Sequence, residues 1–126
     1  MKSVLLVALG GSAGTLCRYG VAEGLPADGL FPLATFLVNI VGSFALGALL
    51  AVLLARGHRD RHDSLQLLGG TGFLGGFTTY SALAVETDTL LRGNHVALGL
   101  TYALVTVAAG LVAALAGIAS ARAVAR

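Results

Sequence analysis

The chain has 126 residues, of which 56% are hydrophobic and 11% charged, with a formal net charge of +2. A soluble domain carries about a quarter charged residues and covers its core with polar surface, so this composition excludes an ordinary soluble fold. The basic residues sit at the edges of apolar stretches instead of forming one field, which excludes a nucleic-acid surface and points to membrane topology.

A membrane crossing needs about 20 mostly apolar residues. Four stretches meet or approach that length, at 4–21, 33–55, 65–85 and 96–121, and they predict one four-span transmembrane domain, all-α. The first is apolar except for Arg18. Lys2, the apolar run and Ser12–Ala13 resemble a signal peptide, but Gly10–Gly11 interrupts the run and Arg18 follows at membrane depth, so it is read as a retained span. Gly10 and Gly14 form a small-xxx-small pattern suited to close helix contact. Arg18 either snorkels to the headgroups or has a role in the site. Cys17 is the only cysteine and is read as a small packing residue.

The second span carries one strongly polar residue, Asn39. It serves either as interhelical glue or as a donor facing a polar path. The third span reads Gly69-Gly70-Thr71-Gly72-Phe73-Leu74-Gly75-Gly76-Phe77-Thr78-Thr79-Tyr80-Ser81. Glycine costs about 1 kcal/mol against alanine in a helix interior, so this density predicts a broken helix. A break at such depth must be buried in protein or line a wet cavity. Its free carbonyls suit a cation and its free N–H groups an anion. Glu86–His95 reads as a polar link. In the fourth span, Tyr102 and Thr106 share a face, and their hydroxyls either bond back to their own helix or face the hydroxyls of span three.

Four spans put both termini and the loop at 56–63 on one side. That side holds Lys2, Arg56, Arg59, Arg61, Arg122 and Arg126, against Arg18 and Arg92 on the other. The bias predicts cytoplasmic termini in a plasma membrane. His58 and His62 are four apart, a spacing that can bind metal, but the arginines around them favour a solvated basic loop.

These motifs together resemble the CrcB/Fluc family of fluoride channels. Gly10, Gly11, Gly14, Arg18 and Tyr19 match its first pattern. Thr35, Asn39, Gly42, Ser43 and Phe44 match the second, and Gly72, Phe73, Gly75, Gly76, Thr78, Thr79 and Ser81 the third. The resemblance covers all four spans in order. It implies an antiparallel, dual-topology dimer with two fluoride paths, passive export of cytoplasmic fluoride, and a central structural sodium ion. By the same resemblance, the backbone carbonyls of Gly75 and Thr78 would hold the sodium. Asn39, Tyr80, Ser81, Leu83, Tyr102 and Thr106 would line the fluoride path, and Arg18 would support the structure and the vestibule potential. Glu86 matches an acidic position of the family.

The chemistry agrees. Fluoride holds its water strongly, so a pore must replace that water with N–H and O–H donors and the positive edges of aromatic rings. Two departures stand out. The family's two pore phenylalanines fall on Tyr80 and Leu83, so one aromatic contact is missing. The chain also has a marked orientation preference, which a homodimer of oppositely inserted copies should not have. Together these suggest a partner that is a related chain inserted the other way, with one degenerate path. The rival readings are a small multidrug-type antiporter, which needs a membrane-embedded carboxylate, and a non-transporting assembly subunit. No Asp or Glu falls inside the four predicted spans, and no residue set suggests an enzyme.

Overall fold

Backbone groups in lipid must be satisfied within their own segment, so long apolar stretches of this kind form helices. The computed structural model describes residues 1–26, 29–56 and 64–124, and every regular element among them is helical. Helix α1 spans Lys2–Gly24 and α2 spans Leu33–Arg56. Both prolines, Pro26 and Pro32, fall in the connection between them. Helix α3 covers Gln66–Leu74 with π geometry and continues for one α turn, Gly75–Phe77. Helix α4 spans Tyr80–Arg92 and α5 spans Val96–Val124. By length and composition, α1, α2 and α5 can each cross a membrane. Helices α3 and α4 together cover the predicted third passage, interrupted between them. Of the predicted loop at 56–63, Arg56 ends α2, while residues 57–63, with His58, Arg59, Arg61 and His62, lie outside the described residues, as do Asp28 and Arg126.

The third passage differs from the sequence reading in two ways. The glycines do not break it. They stay helical, wound so that the Gly75 N–H reaches back five residues to the Gly70 carbonyl. The break falls after them, at Thr78 and Thr79, whose backbones are extended. The passage also continues further than predicted. Residues 86–92, read as a polar link, belong to α4, and the turn is only Gly93–His95. The hydroxyls of Thr87 and Thr89 bond back to the Leu83 and Val85 carbonyls, so these polar residues cost the helix little. Asp88 and Arg92 pair at i,i+4. Asn94 then takes φ 65°, a conformation Asn tolerates, and ends the element.

The glycines explain the packing. Helix α1 lies along α3, and α5 lies along α2. A Cβ on Gly10 would overlap the Leu68 carbonyl, one on Gly14 the Phe73 carbonyl, and one on Gly76 the Gly11 carbonyl. In the second seam, Gly47 abuts the Ala114 carbonyl and Gly117 the Phe44 carbonyl. Lipid gives no hydrophobic drive to helix association, so such backbone approach must supply the contact energy. The exterior is correspondingly apolar: Leu54 is 77% and Leu104 71% exposed. Among the described residues, Tyr102 and Val38 are the largest fully buried side chains.

Candidate anion path at the broken third passage

A helix break deprives backbone groups of their partners, and in an apolar bundle side chains must replace them. Asn39, from mid-α2, does so for Thr79. Its Oδ1 accepts the Thr79 N–H at 2.8 Å, and its Nδ2 donates to the Thr79 carbonyl at 3.0 Å. The side-chain amide pairs with one residue as a strand would. Thr79 in turn caps α4, its Oγ1 accepting the Ala82 N–H at 3.1 Å. Thr78 folds back onto α3: its N–H and its hydroxyl both donate to the Leu74 carbonyl. Thr79 is buried, its Oγ1 lying 3.2 Å from Ser81 Oγ.

The break opens onto a groove of about 380 Å³. Helix α2 contributes Asn39, Ser43 and Leu46 to its lining, and the break contributes Thr78, Thr79 and Tyr80. Leu83 comes from α4, and Thr106, Val107, Gly110, Leu111 and Ala114 from α5. Asn39 keeps one amide N–H beyond the bond to Thr79. Ser43 has no hydrogen-bond partner among the described residues. Thr106 spends its hydroxyl on the Tyr102 carbonyl at 2.7 Å. Tyr80 is 82% exposed and projects from the chain, whereas Leu83 is buried.

A second polar cluster lies nearer the end of the bundle where α2 and α5 begin and α4 ends. The Thr35 hydroxyl donates to Glu86 Oε1 at 2.7 Å, and the Tyr102 hydroxyl to Glu86 Oε2 at 2.6 Å. Three helices thus meet on one carboxylate. Tyr102 packs with Leu83 and Leu90, with Phe36 and Leu98 beside them.

The expected path residues therefore divide. Asn39, Tyr80, Leu83 and Thr106 line the groove. Ser81 touches it through Thr79. Tyr102 belongs to the carboxylate cluster. Arg18 lies on α1, partly exposed, and is not among the groove residues. Gly75 opens the last helical turn of α3, and Thr78 follows that turn in extended conformation. Ser43, Thr35 and Glu86 were noted only as motif positions. Glu86 was excluded from the spans because it follows a run of uncharged residues. The helix continues past it, so a carboxylate does sit among the helices, and the earlier argument against an antiporter loses that support.

The fold and its groove define an all-α, multi-pass membrane protein with a polar cleft at a broken helix. Residues 5–118 match the family model described as CrcB-like protein, camphor resistance (CrcB), and the chain belongs to that family. The chain is 46% identical over 121 residues to the fluoride-specific ion channel FluC of Paracoccus denitrificans, covering 94% of each chain. It is 45% identical over 119 residues to FluC 2 of Leifsonia xyli, covering 94% of this chain and 82% of that one. To FluC 2 of Rhodococcus jostii it is 45% identical over 112 residues, covering 89% and 92%. These relatives are named as channels, not enzymes.

Proposed function

We propose that this chain is one subunit of a fluoride-selective channel that lets cytoplasmic fluoride leave by passive diffusion. The carrying observation is the groove at the break, where amide and hydroxyl donors gather on one open side of the chain. Its relatives bear the name fluoride-specific ion channel. Fluoride entering such a groove exchanges water for the spare Asn39 N–H, the Ser43 hydroxyl and the Tyr80 hydroxyl and ring edge. Asn39 also holds the break open by pinning Thr79. Removing Asn39 therefore removes both a donor and the geometry.

The groove is open, so a second subunit must close it. A partner inserted the other way would bring its own Tyr80-type residue into this groove. The exposure of Tyr80 supports that reading. The central sodium is part of the same proposal. The last carbonyls of a helix have no intrahelical partner, and those of Gly75 and Thr78 offer hard oxygen ligands of the kind alkali and alkaline-earth cations take. Bound there, a cation would supply positive charge beside the anion paths. The chain itself supplies the oxygens and keeps the Thr78 hydroxyl turned to Leu74.

The partner in this proposal is a related chain, not a second copy. Leu83 carries no ring, and the basic residues favour one orientation with cytoplasmic termini in the bacterial inner membrane. The numbered names FluC 1 and FluC 2 among the relatives support paired paralogues. Proteoliposomes containing this chain alone test the pairing. Slow fluoride efflux that rises on adding the paralogue is expected, and fast efflux from the chain alone would sink it.

A further inference from the structure

We propose that Phe31, on the connection before α2, is a positioning residue that shields Thr35 and Tyr102, the two buried donors to the partly exposed Glu86, from water. Its consequence for flux rests on the fluoride-channel reading, but the seal itself does not. Helices α2 and α5 start at the same end of the bundle. Thr35 lies two residues into α2 and Tyr102 six into α5, so the cluster sits about 3–9 Å inside that end. Phe31 stands between it and the exterior. Its ring meets Tyr102 edge-on, with centroids 5.3 Å apart at 85°, and Phe36 at 5.6 Å and 66°. Tyr102 is 0% exposed and Phe31 is 37% exposed, so Phe31 is the outer ring of the pair.

Leu83 and Leu90 cluster with Tyr102, and Phe36 and Leu98 pack against that cluster, all four from helices. Phe31 reaches Tyr102 from a connection, so its position must be fixed locally. Pro32 fixes φ one residue later. The Leu33 N–H donates to the Phe31 carbonyl at 2.8 Å, and the Phe36 N–H to the Pro32 carbonyl at 3.1 Å. These bonds tie the ring's backbone to the first turn of α2, the turn that carries Thr35. A carboxylate held by two short hydroxyl bonds keeps them only while water does not compete.

The test is access to a single thiol. Thr35→Cys is made in a Cys17→Ser background, reconstituted in proteoliposomes and exposed to a charged, water-soluble methanethiosulfonate. With Phe31 present, labelling is expected to be slow. Phe31→Ala should speed it at least tenfold, Phe31→Leu at least threefold, and Phe31→Trp should restore the slow rate. Phe31→Leu keeps apolar bulk and serves if the alanine variant does not fold. Equal labelling with Phe31 and with leucine overturns the seal, whatever happens to flux. Faster labelling in liposomes that never pass fluoride upholds the seal and overturns the channel reading.

Discussion

Asn39 occupies a place where a backbone amide would otherwise be needed. Its two bonds to Thr79 mean that each substitution has a distinct outcome. Asn39→Ala leaves a buried N–H and carbonyl unmet, at a cost of about 1–3 kcal/mol for each group. Thermal unfolding in detergent should show that loss. Asn39→Asp keeps the acceptor for the Thr79 N–H but turns an oxygen toward the Thr79 carbonyl and adds negative charge beside the path. Fluoride efflux should fall at least tenfold, and unchanged efflux would remove Asn39 from the path. Tyr102→Phe keeps the ring against Phe31 and removes one bond to Glu86. A hydrogen bond to a charged group contributes about 1.5–3 kcal/mol, so unfolding should show a loss of that order while the fold persists. Asn39 was legible as a polar residue in an apolar run. Its partner was not, because Thr79 is forty residues away and presents only backbone. Glu86 was legible as a charge and misplaced in depth, since nothing local shows that Thr35 and Tyr102 converge on it.

Glycine governs the elements by proximity more than by flexibility. The density at 69–76 predicted a broken passage, and the passage is broken, but two residues after the glycines end. Of those glycines, Gly72 and Gly76 let α3 lie against α1, and the extended residues are the threonines whose hydroxyls can replace lost bonds. Counting glycines could not separate close approach from a break, because both uses favour the same residue. Gly14→Ala and Gly47→Ala should each destabilise by about 1–3 kcal/mol, because a carbonyl of the facing helix occupies the space a Cβ would take. Gly20→Ala meets nothing within 4 Å and should be neutral or slightly stabilising in the same unfolding assay. A loss at Gly20 equal to that at Gly14 would show that contact is not the cause.

At the scale of the whole molecule, the all-helical class and the places of α1, α2 and α5 were legible from apolar length alone. The pairing of α1 with α3 and of α2 with α5 was not, because it depends on which glycine faces which carbonyl. The groove is likewise a product of assembly: it draws residues from 39 to 114, and it lies open on one side of the chain. The central claim is that this chain contributes to a path selective for fluoride. The direct measurement is anion efflux from proteoliposomes holding the chain together with the related chain proposed as its partner, read with fluoride-selective and chloride-selective electrodes under the same gradient. The account predicts rapid fluoride efflux, chloride efflux at the level of empty vesicles, and loss of fluoride efflux with Asn39→Asp. Equal passage of chloride and fluoride, or none of either from correctly folded protein, would contradict it.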